Sequence, residues 1–169
     1  MIKTEIPIAT EDFLSIIRDK HILIDTNVLI DASIRPTEML RFINKIKSEG
    51  ATVCSTTFIE GEFLRGSQNS TKYDDKKTLI NTLVDVRLPI SPNTLKNFEK
   101  LIKMYGEFGK GVELVDFTLG ALLMDYPEKL FLFTKNTTDF HTDVFDLVSV
   151  VSFPNKKSLA TFGIYTFSE

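Results

Sequence analysis

The sequence predicts an α/β fold with a mostly parallel sheet covered by helices on both faces. Three observations lead there. Short apolar runs rich in β-branched and aromatic residues recur along the chain, each of strand length. Amphipathic stretches with helical spacing separate them. Strands joined through helices cannot pair as hairpins, so most of them must run parallel.

Taken in order, the chain opens with an extension over residues 1–20, with a helix expected from Thr10 to Lys20. The main domain is expected over 21–153. Its first strand is Ile22-Leu23-Ile24. Met39, Phe42, Ile43 and Ile46 then mark a helix, with Pro36 near its start and Gly50 past its end. Thr52-Val53-Cys54 is the second strand. Phe58, Ile59 and Phe63 give a short helix with a buried face, stopping at Gly66. A polar break over Ser67 to Asp75 precedes helical residues Thr78 to Asp85. Val86 to Ile90 is the third strand. Ser91-Pro92 is an N-cap followed by proline, leading into Leu95, Phe98, Leu101 and Ile102. Leu114 to Met124 is apolar on nearly every side and should be buried. Leu130 to Phe133 and Leu147 to Val151 complete the strands. The tail, 154–169, has no clear assignment, but Phe162, Tyr165 and Phe167 suggest that it packs against the rest.

The 169 residues fit one domain. A single cysteine, Cys54, excludes an internal disulfide framework and any multi-cysteine zinc site. No apolar run is long enough for a membrane helix, and the opening residues lack the order of a signal peptide. A cytoplasmic protein with no membrane association is therefore expected. The net charge of −3 argues against gripping nucleic acid through bulk charge. It leaves open an approach to phosphates through bound metal.

In an open parallel sheet, ligands bind beyond the carboxyl ends of the strands, where the following helices begin. Four acids fall at such places. Asp25 directly follows the first strand; its competing reading is a helix N-cap. Glu62 lies in the helix after the second strand, on the side of Phe58 and Ile59 and beside Phe63, where an unpaired carboxylate is costly. Its competing reading is a rim carboxylate paired with Arg65. Glu60, two residues away, points to another side and is expected to be solvated. Asp116 begins the most apolar helix, sharing a face with Leu119, Gly120 and Leu123. The helix dipole alone could account for it. Glu113 lies one turn earlier on that face. Asp139 follows the fourth strand, where an ordinary loop aspartate is the competing reading.

Together these acids make an oxygen-only donor set with no histidine or cysteine beside it. That chemistry suits a hard cation, Mg²⁺ or Mn²⁺, and disfavours zinc. Such ions can activate water and stabilise the leaving oxygen of a phosphodiester. Setting four acids aside from the 23 leaves the remainder balanced to within one against the 20 bases. The acidic total therefore does not count against a phosphate substrate.

These residues resemble the PIN domain family, most closely the VapC-type toxin ribonucleases. Ile24-Asp25-Thr26-Asn27-Val28-Leu29 resembles the opening Asp-Thr-Asn signature. Glu62-Phe63-Leu64-Arg65-Gly66 resembles the Glu-Leu-x-x-Gly segment. Asp116 to Ala121 resembles the third acidic helix, and Thr134-Lys135-Asn136 with Asp139-Phe140 resembles the closing Thr-x-Asn-x-x-Asp-Phe. The resemblance spans Ile22 to Val151. It departs from the family in its extensions at both ends and in Gly120, where alanine is common.

The resemblance implies a three-layer α/β/α sandwich with a sheet of four to five strands. It implies a Mg²⁺- or Mn²⁺-dependent endonuclease cutting single-stranded or structured RNA. Asp25, Asp116 and Asp139 would hold metal, and Glu62 would complete the site and orient or deprotonate the attacking water. Asn27 and Thr134 would fix those carboxylates by hydrogen bonds. Arg65 and Lys135 are candidates for contacts to RNA phosphates. A homodimer and a small antitoxin partner are implied in the same way.

Two rivals remain. A haloacid-dehalogenase-like phosphatase would place an acid at position 27, where this chain has Asn27, and would leave Glu62 idle. A PIN-like module that binds RNA or protein without catalysis would keep the fold and perform no hydrolysis.

Overall fold

The computed structural model describes residues 11–154 and 159–169. Residues 1–10 of the expected extension lie outside them. The extension's helix, α1 (Glu11–Ile17), buries Phe13, Leu14 and Ile17 against the core.

The first strand, β1 (His21–Ile24), is buried from its second residue onward. Helices α2 (Thr26–Ile34) and α3 (Pro36–Ser48) follow, the latter with proline in its first turn and Met39, Phe42, Ile43 and Ile46 inward, as their spacing predicts. Strand β2 (Thr52–Ser55) leads to α4 (Thr57–Arg65), capped by the Thr56 hydroxyl, which accepts from Ile59 N at 3.2 Å.

Helix α5 (Ser70–Leu83) begins well inside the expected polar break. Asn69 explains the difference: its side chain caps the helix, accepting from Lys72 N at 2.9 Å. Strand β3 is shorter than expected, only Val86–Arg87. Pro89 has no N–H to offer a ladder, so the chain leaves the sheet there. Helix α6 (Pro92–Glu107) starts with a capping box between Ser91 and Thr94. Helix α7 (Leu114–Asp125) is buried over Phe117 and Leu119–Met124. Strand β4 (Leu130–Thr134) is wholly buried.

Two strands close the sheet, β5 (Asp146–Pro154) and β6 (Leu159–Thr166). The sheet therefore has six strands, in the order β3-β2-β1-β4-β6-β5, rather than four or five. Pairs β1–β2, β1–β4 and β2–β3 are parallel, while β6 is antiparallel to both β4 and β5. The stretch that the sequence leaves unassigned thus supplies an interior strand. Phe162, Ile164 and Tyr165 are buried there, and Phe167 packs against the core. The fold is α/β with a mostly parallel sheet, as predicted. Among the described residues no helix is long and apolar enough to cross a membrane.

Phe58 corrects the reading of α4. It is 58% exposed, and Ile59 and Phe63 alone carry the buried apolar face. Glu60 is the larger correction. Expected in solvent, it is 5% exposed and held between α5 and β3. Arg87 Nε lies 2.7 Å from its Oε1, an ion pair without the alignment of a hydrogen bond, and Lys77 Nζ lies 3.7 Å from Oε2. The arrangement buries the carboxylate while keeping cations beside it, which offsets its desolvation.

Candidate active site

Strands β1 and β4 are parallel neighbours, with Ile24 opposite Phe133. Their carboxyl ends therefore place Asp25 beside Thr134. Asp25 is buried and caps α2, accepting from Thr26 N at 2.6 Å. Its other oxygen accepts from Asn27 Nδ2 at 2.6 Å and from the Thr134 hydroxyl at 2.7 Å. Capping therefore leaves room for a further role, because one oxygen caps and the other faces Asn27 and Thr134. Asn27 is fixed in turn, its Oδ1 accepting from Lys135 N at 2.9 Å.

Helix α4 brings Glu62 to the same place. Its Oε2 accepts from the Thr26 hydroxyl at 2.5 Å, and Arg65 lies 3.9 Å from its Oε1. Arg65 is 79% exposed, so this contact is a loose rim pair. Glu60 and Glu62 do point to different sides, as helical geometry requires.

Helix α7 supplies Asp116 from its first turn, buried at 8% exposure. Asn136, two residues beyond the end of β4, joins it to the last acid. The Asn136 amide donates to Asp116 Oδ2 at 3.1 Å and to Asp139 Oδ2 at 2.6 Å. Its backbone N–H donates to the Thr134 hydroxyl at 3.0 Å.

Asp25, Thr26, Asn27, Glu62, Arg65, Glu113, Asp116 and Asn136 line one open cleft of about 390 Å³, together with Ile30 and Val115. Asp139 is reached through Asn136 rather than lining this cleft. Lys135 turns elsewhere, its Nζ 3.7 Å from Asp31, which also pairs with Arg35.

The electrostatics follow from the crowding. Burial raises the Asp25 carboxyl above its ordinary range, and the Glu62 charge adds to this against the hydrogen bonds that lower it. The Asp116 carboxyl is pushed up to about 7, first by burial and then by the charges of Asp25 and Asp139, with a smaller push from Glu62. Among the described residues no lysine or arginine forms an ion pair with Asp25, Asp116 or Asp139. The donors around them are neutral hydroxyls, amides and backbone N–H groups.

The oxygen-only chemistry of these acids fits a hard divalent cation. Among the described residues, however, no three side chains of the His, Cys, Asp or Glu type converge as a ready-made cage.

Sequence reasoning gave no role to Thr26, Asn136 or Tyr105. The first two stand inside the motifs quoted above, and their positions next to Asp25 and Thr134 are the signal that could have found them. Tyr105 is far along the chain, and only the fold brings its hydroxyl to the Asp139 carbonyl.

No family model matches the sequence, and no curated protein matches it. Among solved structures, a chain of the crystal structure of VapBC2 from Rickettsia felis bound to a DNA fragment from their promoter is similar in fold. The TM-score is 0.51 at 12% identity, covering 60% of this chain and 78% of that one. The likeness is one of fold. At this identity the VapBC2 match carries no residue roles, which rest on the geometry alone.

Proposed function

We propose that the chain is a VapC-like endoribonuclease of the PIN type, hydrolysing phosphodiester bonds of single-stranded RNA in the presence of Mg²⁺ or Mn²⁺. The observation that carries this reading is Asp116. It is a buried carboxyl facing the charges of Asp25, Asp139 and Glu62, with neutral donors around it. A divalent cation offsets such repulsion better than any neutral donor.

When bound, the cation would polarise a phosphoryl oxygen and acidify a water. Asp25, Asp116 and Asp139 are the residues that would hold it, with Glu62 completing the set. Thr134, Asn27 and the Thr26 N–H restrain the Asp25 carboxylate in one orientation. Asn136 couples Asp116 to Asp139. Glu62, half-buried at the cleft, would accept a proton from an attacking water. Arg65, exposed at the rim, offers its guanidinium to a phosphate. On this reading the protein is the toxin of a toxin–antitoxin pair acting in the cytoplasm, and the fold likeness to a VapBC2 chain supports that pairing.

A second reading is a non-catalytic RNA- or protein-binding module on the same fold. The lack of a ready-made cage among the described residues favours it. One assay separates the two. Single-stranded RNA and matched DNA are incubated with Mg²⁺, with Mn²⁺ and with chelator, using wild type, Asp25→Asn and Asp116→Asn. Metal-dependent RNA cleavage lost in both variants supports the nuclease. No cleavage, with a melting temperature unmoved by millimolar Mn²⁺, supports the module.

A further inference from the structure

Tyr105, on α6, is 2% exposed, yet its hydroxyl has two partners in the loop that carries the last acid. The Tyr105 Oη donates to the Asp139 carbonyl at 2.7 Å and accepts from His141 N at 3.0 Å. The residue between them, Phe140, is 2% exposed and packs on Phe145 and Tyr165. The segment 139–141 is thus pinned on both flanks by one hydroxyl and in the middle by a core ring. The Tyr105 ring meets Phe117 edge-on, with centroids 5.4 Å apart, and Phe117 directly follows Asp116. One side chain therefore touches the backbone of Asp139 and the neighbour of Asp116. Asn136 joins the same two carboxylates directly.

We propose that Tyr105 is a positioning residue, whose hydroxyl holds the Asp139 backbone so that its carboxylate faces Asp116 and the pair can take up a divalent cation. This rests on the metal-dependent reading given above. A buried tyrosine hydroxyl needs a polar partner wherever it sits, and one serving only the core could take any single carbonyl near its ring. The hydroxyl instead satisfies one acceptor and one donor on either side of Phe140, fixing the direction in which the Asp139 side chain leaves the backbone. The Asn136 amide binds the carboxylate and leaves the Asp139 backbone unheld. The Tyr105 hydroxyl, carried on a buried ring, holds the main chain itself.

The test is a double-mutant cycle on cation affinity, measured without RNA. Mn²⁺ binding is followed by calorimetry in wild type, Tyr105→Phe, Asp139→Asn and the double variant. Tyr105→Phe keeps the buried ring and removes only the hydroxyl. The expected result is a roughly tenfold weaker Mn²⁺ affinity in Tyr105→Phe, of the size that lost outer hydrogen bonds produce at metal sites. Adding Tyr105→Phe to Asp139→Asn should then change affinity less than twofold, because Tyr105 acts through Asp139. A Tyr105→Phe affinity equal to wild type overturns the proposal, and so does a full tenfold loss on top of Asp139→Asn. Wild type that binds no Mn²⁺ overturns the metal-dependent reading itself, and the role of Tyr105 with it. The first two outcomes leave that reading standing, so the failures are distinguishable. RNA cleavage by Tyr105→Phe at saturating Mn²⁺ should return to within about threefold of wild type, which a misfolded variant would not do.

Discussion

The hydroxyl of Thr134, at the end of β4, lies 2.7 Å from the Asp25 carboxylate at the end of β1. Two strands far apart in sequence thus converge on one hydrogen bond. Thr134 is fully buried and also receives the N–H of Asn136 at 3.0 Å. Thr134→Val keeps the shape and removes the oxygen. Hydrogen bonds to charged groups contribute about 1.5–3 kcal/mol. The variant should lose stability of that order in denaturant melts, and cleavage should fall as the Asp25 orientation loosens. Unchanged stability would mean that the bond does not form in solution.

Asp116→Asn should behave in the opposite way. The folded-state carboxyl is pushed up to about 7 from an ordinary 3.8, so the folded protein holds a proton that the unfolded chain has released. Wild-type stability without metal should therefore fall as pH rises from about 4 to about 7, then level off. The asparagine variant should lack this slope and be the more stable protein at pH 8, by about 1 kcal/mol or more. Cleavage should drop by orders of magnitude. Melting curves across pH, with chelator present, check the sign.

Gly120→Ala tests the close packing of α7 on its neighbours. An added Cβ would stand 2.9 Å from Phe145 Cζ and 3.0 Å from Leu101 Cδ1. The Phe145 ring is itself held by Phe140 and Phe167. Alanine gains up to about 1 kcal/mol in helix propensity. Overpacking costs about 1–3 kcal/mol. A net loss is expected, read as a lower melting temperature. A rise would show that the aromatic cluster yields freely.

Glu60→Gln and Glu62→Gln should separate two glutamates that share one helix. Glu60 is buried against Arg87 and Lys77, whose own exposure softens the loss, so its neutralisation should cost about 1 kcal/mol of stability and leave cleavage intact. Glu62 lines the cleft, so its neutralisation should leave the melting temperature level or higher and reduce cleavage. A reversal of these outcomes would exchange their roles.

The sequence made the carboxyl end of β1 more legible than the far edge of the sheet. Asp25 was readable because an acid directly after a short apolar run marks a strand's carboxyl end, whereas Asn27 and Thr134 entered only through the family resemblance. Burial of Glu60 was not readable, since it depends on cations from α5 and β3 that only the tertiary fold brings near. Strand β6 was hidden for a different reason. It is buried on both faces, so it lacks alternation, and Gly163 interrupts its strand-forming residues. The glycine is needed there because the Tyr165 ring lies across it, with Cε2 2.5 Å from where a Cβ would stand. Tyr105 was legible only as a core aromatic, since a hydroxyl's partners across the fold leave no periodic trace.

The placement of β6 between β4 and β5 also sets an order of assembly. Among the described strands, β5 pairs only with β6, which is synthesised after it. Until β6 emerges from the ribosome, β5 has no ladder and the edge of β4 that β6 covers stays open. A chain that has already made all four acids must therefore wait for its later residues before the scaffold under them closes. On the proposed nuclease reading, this delay would keep a nascent chain inactive beside the very message that encodes it.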